Sequence, residues 1–362
     1  MNGADAAEPT VSSHRRAQPK VAAAHAPAHS SCGWSMMPRE VLTQLILEQL
    51  PRFRMRTYID DEMALAELLS SGILERMPDD YAWSLCFDVS FVSRLCLEGF
   101  LPICCELGGG SSSGLYVLLP KLHVRRCILL PEDMHVSKKV RKKASQYRLT
   151  VCQAFGEVLQ QCIKQHGVAW LYPPMQHLLT QMAIPPSLDG LDRVATPQFV
   201  SFELWTRPNA RNSGEVDHDD GHVASTSSAS RDGDAPLDGK GRGGDGVSGS
   251  RGISSNLSSP QLVAGDLGCI VGSCYTSFSG FHEGSGTGSI QLVLTGKLLE
   301  RAGFGMWDLG QEHAYKSALG ASSVPRRDFL ALFRQLRCMP NRLRDVVGDG
   351  GDATVASSLR QA

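Results

Sequence analysis

The order of apolar patterns predicts an α+β protein: a small N-terminal domain of helices and short strands, then a larger domain whose mixed sheet is flanked by helices. Three observations carry this. Helical apolar spacing dominates the chain up to Gly99, whereas β-rich runs recur at 115–119, 127–130, 148–152, 199–205 and 262–281. The last run leads through a glycine-rich turn into an apolar-periodic stretch from about Ser289 to Arg301 and then a short strand ending at Asp308. That succession of strands, glycine loop, helix and strand makes residues 262–330 the part around which the rest is arranged.

With 362 residues, 42% of them apolar, the chain is long enough for two cores once its polar segments are set aside. The expected division is a disordered tail over 1–35, an N-terminal domain over 36–132, a second domain over 133–340 interrupted by a disordered insertion at 207–259, and a disordered tail over 341–362. The net charge of −1 hides clustering, because bases gather between Lys121 and Arg148 and acids between Glu215 and Asp245. Eleven cysteines, an odd number without any Cys-x-x-Cys spacing, argue for reduced and mostly buried thiols. His25 with His29, and His218 with His222, have helical spacing but no cysteine beside them, so no metal is expected. No run of eighteen apolar residues is present, hence no membrane span is expected. A cytoplasmic protein is the reading, with an organelle transit peptide in the first 33 residues as the alternative.

Pro38-Arg39-Glu40 opens a first helix with Val41, Leu42, Leu45, Ile46 and Leu50 on one face, closed by Pro51. A second starts at Asp60-Asp61 and ends near Gly72; a third runs from Ser90 to Gly99. Gly108–Gly114 reads as a flexible loop; its Gly-x-Ser-x-Gly lacks the preceding strand and following helix of a nucleophile elbow. A helix over about 137–145 carries Lys138, Lys139, Arg141, Lys142 and Lys143, with Arg148 just beyond it. Bases at successive positions repel one another unless an anion is near, so this helix is either solvated surface or a phosphate-binding face. Arg148–Cys152 alternates as a strand, and Phe155, Val158, Leu159, Cys162 and Ile163 form one helical face. After the strand at 199–205, residues 207–259 are almost wholly Gly, Ser, Asp and Arg, with too little to bury, so an insertion between two paired strands is expected.

From about Val89 to Leu336, apart from the insertion, the chain resembles the leucyl/phenylalanyl-tRNA–protein transferase family. The resemblance rests on Leu262, Val263, Gly265, Gly268, Gly272, Tyr275, Ser279 and Phe281, then on Asp308, Leu319-Gly320-Ala321, Arg326 and Phe329. Upstream, Gly99-Phe100-Leu101-Pro102, Met134–Lys139, Trp170-Leu171 and Ser201–Trp205 continue it in order. Two positions depart from the pattern. The acidic residue of the family's Gly-Glu-Ser-Met-Phe is Phe278 here, and the Gln of its Asp-Cys-Gln falls on Gly310, with Gln311 one place later.

The resemblance implies a GNAT-like acyltransferase domain that moves an amino acid, Leu- or Phe-like, from aminoacyl-tRNA to the N-terminal α-amine of an acceptor protein, marking it for degradation. Such aminolysis requires no cofactor. It implies catalytic roles for Asp308 and Gln311, and phosphate contacts from Lys138, Lys139, Arg141, Lys142, Lys143 and Arg148. Trp170, Glu203, Trp205, Tyr275, Phe278, Ser279 and Phe281 are the candidate substrate-binding residues, in a monomer that needs no membrane. Each has a plainer alternative. Asp308 could merely cap the Asp-Leu-Gly turn, and Trp170 and the alternating aromatics could be core. The offset of Gln311 could be absorbed by a bulge, or could send its side chain to the wrong face. Two other functions stand beside the transferase: a tRNA-binding or adaptor protein without catalysis, and an acyl-CoA-dependent acetyltransferase using the loop Glu283–Ser289.

Overall fold

The computed structural model describes residues 37–59, 61–107, 114–191, 193–207 and 259–353. The first tail, most of the Gly108–Gly114 loop, nearly all of the 207–259 segment and both paired-histidine motifs lie outside them.

Helix α1 (Arg39–Gln49) buries Leu42 and Ile46; Val41, one step around the helix, is exposed instead of sharing their face. Helix α2 (Glu62–Ser70) is capped by Asp61, whose carboxylate accepts from the N–H groups of Met63 and Ala64. Helix α3 (Val89–Leu97) turns Phe91, Val92, Leu95 and Cys96 inward. Strands β1 (Leu101–Glu106) and β2 (Tyr116–Lys121) then form a two-stranded antiparallel ladder.

The next strand, β3 (Arg125–Leu129), already belongs to the larger sheet, inside the stretch assigned from sequence to the N-terminal domain. It is followed by α4 (Lys138–Lys143), β4 (Tyr147–Val151), α5 (Phe155–His166), α6 (Pro173–Met182), β5 (Gln198–Thr206), β6 (Leu262–Val271) and β7 (Cys274–His282). Then come α7 (Thr287–Arg301), β8 (Met306–Gly310), α8 (Ala314–Ala318), β9 (Ser322–Pro325), α9 (Arg326–Leu336), α10 (Leu343–Val346) and β10 (Asp352–Ala353). The eight strands lie in the order β10-β4-β5-β6-β7-β8-β3-β9. All neighbours are antiparallel except β7 and β8, which run parallel because α7 carries the chain back across the sheet between them. This is a mixed α+β architecture with a large mixed sheet flanked by helices.

Each sheet face has its own core. Phe155, Leu159, Phe91, Leu95, Phe329 and Phe333 cover one face with α3, α5, α6 and α9; Leu294, Leu298, Val140 and Leu343 cover the other with α4, α7 and α10. The first core runs without a break from α2 and α3 into the sheet. Arg326 fastens the same junction: its guanidinium donates to the carbonyls of Leu74, Met77, Asp79, Leu122 and His123. β5 and β6 pair antiparallel across the segment outside the described residues. The expectation of a disordered tail from 341 differs from the structure up to Ala353. Leu343 and Val347 are buried one helical turn apart, and β10 pairs with β4. The surrounding Gly and Asp hide these two apolar anchors in the sequence.

Candidate active site

A cleft of about 300 Å³ opens where the β1–β2 ladder meets the end of β8. Leu101, Pro102 and Ile103 line one side, with Lys121 and His123 below them. Trp170 and Phe278 form an aromatic wall, their rings edge-to-face with centroids 6.3 Å apart. Ser277, Leu309, Gly310, Gln311, His313 and Lys316 complete the lining.

Two bulges shape this cleft. On β7, Leu267 pairs with Ser279 and Gly268 with Ser277, leaving Phe278 as the extra residue. The close approach there requires Gly268, since a Cβ would lie 2.1 Å from the carbonyl oxygen of Thr276. On β8, Cys127 pairs with Gly310 and Ile128 with Asp308, so Leu309 is the unpaired residue. Gly310 then takes φ +73°, a left-handed conformation that favours glycine, and Gln311 emerges beside the cleft.

Asp308 is fully buried behind that turn and does not border the cleft. Arg126 Nε lies 2.9 and 3.0 Å from its two oxygens, the Gly310 N–H donates to Oδ1 at 2.9 Å, and Thr276 Oγ1 donates to Oδ2 at 3.2 Å. Arg126 also donates to the Gly99 carbonyl, which ties the end of α3 to the same pair. Lys316 holds the turn from the other side, with Nζ 2.6 Å from the Leu309 carbonyl oxygen and 2.7 Å from that of Gln311.

A second buried acid, Asp266 on β6, supports the cleft floor. Ser277 Oγ donates to it at 2.6 Å and Tyr275 donates its hydroxyl proton to the same oxygen, while Trp307 Nε1 donates to Ser277 at 2.9 Å. Burial pushes the Asp266 carboxyl up to about 6, although those hydroxyls pull it down. His123 is moved the opposite way, to about 4, chiefly by burial and then by the charges of Arg126 and Lys121. It is therefore a neutral imidazole at pH 7. Burial also lowers the pKa of Lys316, against the opposing fields of Cys127, Asp308 and Asp266.

Of the residues singled out in the sequence, Gln311, Trp170 and Phe278 meet at the cleft. Tyr275 is wholly buried, with its ring between those of Phe202 and Trp307. Phe281 is core, and Ser279 is half-buried without bordering the cleft. Glu203 is buried among Thr150, Ser201 and the Ala154 N–H, where desolvation raises its pKa; Trp205 donates to Thr150. On α4 the side chains of Lys138, Lys139, Lys142 and Lys143 are exposed around the buried Val140, whereas Arg148 pairs with Asp352 at 3.9 Å. His135, just before α4, donates its N–H to the Leu319 carbonyl, which ties the approach to the basic helix to the end of α8. The loop Glu283–Ser289 contributes nothing to the cleft lining.

Sequence reasoning gave no site role to Arg126, Asp266, His123 or Lys316. Arg126 and His123 belong to a visible basic cluster, but only strand pairing brings Arg126 to Asp308, 182 positions away. Asp266 carried a signal, as the lone acid within an apolar strand run. Among the described residues no group of three or more His, Cys, Asp or Glu side chains is placed to hold a metal, and no helix is long and apolar enough to cross a membrane.

The parallel strand pair of the mixed sheet thus ends in a cleft with an aromatic wall, an amide and an ammonium. Part of the chain is similar to known proteins. Residues 255–334 match the model of the leucyl/phenylalanyl-tRNA protein transferase family, a span that includes both bulges, Asp308 and Gln311. The chain is 32% identical over 81 residues to the leucyl/phenylalanyl-tRNA–protein transferase of Thiobacillus denitrificans, covering 22% of this chain and 36% of that protein. It is 31% identical over 77 residues to that of Shewanella halifaxensis, covering 21% and 33%, and 23% identical over 225 residues to that of Nitrosomonas eutropha, covering 60% and 69%. The chain thus spans about a third of the length of the first two relatives and two thirds of the third. Over residues 255–334 it is similar to the leucyl/phenylalanyl-tRNA–protein transferase family.

Proposed function

We propose that this chain is an aminoacyltransferase that moves an amino acid from aminoacyl-tRNA to the N-terminal α-amine of an acceptor protein. The observation that carries the reading is the β8 bulge, which brings Gln311 to a cleft walled by Trp170 and Phe278 despite its one-residue offset from the family pattern. In the reaction the amine nitrogen attacks the ester carbonyl, the C–N bond forms, the bond to the ribose oxygen breaks, and the amine's proton is passed on while the ribose oxygen gains one. Holding both substrates in line supplies much of the rate. Gln311 orients the amine through its amide. Asp308, engaged by Arg126, acts as a positioning residue that fixes the Gly310 turn and hence Gln311. The wall of Trp170 and Phe278 takes an apolar side chain of the Leu or Phe kind, and the exposed lysines of α4 contact tRNA phosphates. The product, an acceptor with a new N-terminal residue, is marked for degradation; the protein works as a cytoplasmic monomer on a GNAT-like scaffold.

The test is incubation of the full chain with radiolabelled leucyl-tRNA, phenylalanyl-tRNA and peptides of varied N-terminal residue. Label should enter peptides with a free α-amine and be absent from N-acetylated ones. Gln311→Ala should lower transfer about 10- to 100-fold with tRNA binding retained. Replacing Lys138, Lys139, Lys142 and Lys143 together should weaken tRNA binding and flatten its dependence on log salt. Binding of tRNA without transfer to any peptide would replace the enzyme with a tRNA-binding module.

A further inference from the structure

The end of β8 holds a buried cation that no carboxylate among the described residues contacts. Lys316 is 8% exposed, borders the cleft and makes no ion pair among those residues. Its Nζ donates to the carbonyls of Leu309 and Gln311, on either side of Gly310. The Tyr315 ring, 5.6 Å away, gives it weak further support. The nearby carboxylates are already engaged: Asp308 by Arg126, Asp266 by two hydroxyls. An ammonium carries three N–H donors, and the two carbonyls use two of them. A buried charge without a counter-ion is costly, and that cost falls when an anion appears beside it. In the aminoacyl-transfer reading, on which this inference rests, an anion appears in this cleft only in passing. The carbonyl oxygen of the ester takes the π electron pair as the amine attacks, and returns it when the ribose oxygen leaves.

We propose that Lys316 is a further catalytic residue, whose third N–H donates to the ester carbonyl oxygen while it bears the negative charge of the tetrahedral adduct. The proton stays on Nζ throughout, so the lysine stabilises charge without exchanging a proton. A donor aimed at developing charge in a water-poor site is worth about 10²–10³ in rate. The two carbonyl bonds give the ammonium the fixed position that such a role needs, and they are also why a purely structural role must be separated from it.

Two probes make that separation on the full chain. One is a phosphonate analogue of the 3′-leucyl ester of adenosine, tetrahedral and anionic; the other is the corresponding amide, planar and neutral. The unmutated protein should bind the phosphonate at least ~100-fold more tightly than the amide. Lys316→Met should bind the amide almost as before and lose most of the preference for phosphonate, while Lys316→Arg should retain part of it. Lys316→Gln, which keeps donors for the carbonyls without the charge, serves the same purpose if the Met variant does not fold. A neutral variant that keeps the preference, or loses both probes alike, overturns the proposal, and the second result leaves Lys316 as a staple of the turn. An unmutated protein that binds the amide but does not favour the phosphonate overturns it while leaving the aminoacyl reading intact. Binding of neither probe overturns that reading and the proposal together.

Discussion

The region around Asp308 at the end of β8 and the region around Asp266 on the β6–β7 ladder bury similar carboxylates within one sheet, yet they handle the charge differently. Asp308 faces a guanidinium and collects further donors from Gly310 and Thr276. Asp266 has no ion-pair partner in contact, only the hydroxyls of Tyr275 and Ser277 and the field of Lys316, and burial leaves its carboxyl at about 6. A compensated charge can anchor the backbone that presents Gln311. A carboxylate held by hydroxyls alone keeps a raised pKa, here about 6, beside the Ser277 hydroxyl at the cleft floor. The sheet thus contains one acid that acts as a fastening and one that acts as a titrating group.

Removing the charge at Asp308 should cost the most stability. Asp308→Asn leaves the buried Arg126 without its partner and should lower unfolding free energy in urea by about 3–5 kcal/mol. Arg126→Met combined with Asp308→Leu should recover much of that loss, since neither charge is then stranded. A single variant as stable as the unmutated protein would show that the ion pair is not what holds the turn.

At Asp266 the sign is opposite. The carboxyl titrates near its ordinary 3.8 in the unfolded chain and near about 6 in the folded one. The protonated form is therefore favoured by folding, and its contribution is complete below pH 4 and lost as pH rises through about 6. The gap corresponds to about 3 kcal/mol. Asp266→Asn keeps an acceptor for both hydroxyls and removes the ionisation. It should raise the Tm at pH 7 and flatten the stability curve between pH 4 and 6. A lower Tm at pH 7 would mean that the carboxylate is stabilised by more than the two hydroxyls.

The smallest expected effects come from removing one hydroxyl at each site. Thr276→Val should cost about 1 kcal/mol, because Arg126 still holds Asp308. Ser277→Ala should cost a similar amount, and should also move the acidic titration seen in the pH–stability curve upward from about 6, since one of the two hydroxyls lowering it is gone. If the curve does not move, Ser277 is not donating to that acid in solution.

The α+β class, the strand–helix–strand succession around α7, the capped start of α2 and the position of the basic helix are legible in the amino-acid order, because each depends on local periodicity and capping chemistry. That order also brought Asp308 and Gln311 forward through register against a family pattern. Only the tertiary structure decided where those side chains go. Asp308 is turned behind Arg126, which comes from β3 through strand pairing, and Gln311 reaches the cleft because Leu309 bulges and Gly310 adopts φ +73°. Tyr275 and Phe281 are six residues apart on β7, where alternation would place them on one face, yet Tyr275 packs into one core and Phe281 into the other. A strand's period of two assigns faces only until a bulge inserts an extra residue, and that insertion is set by what the neighbouring strand and Gly268 allow. The same limit applied to Lys316 and Asp266, whose surroundings are assembled from strands and a helix far apart in the chain, where no local pattern records a buried charge or its missing partner.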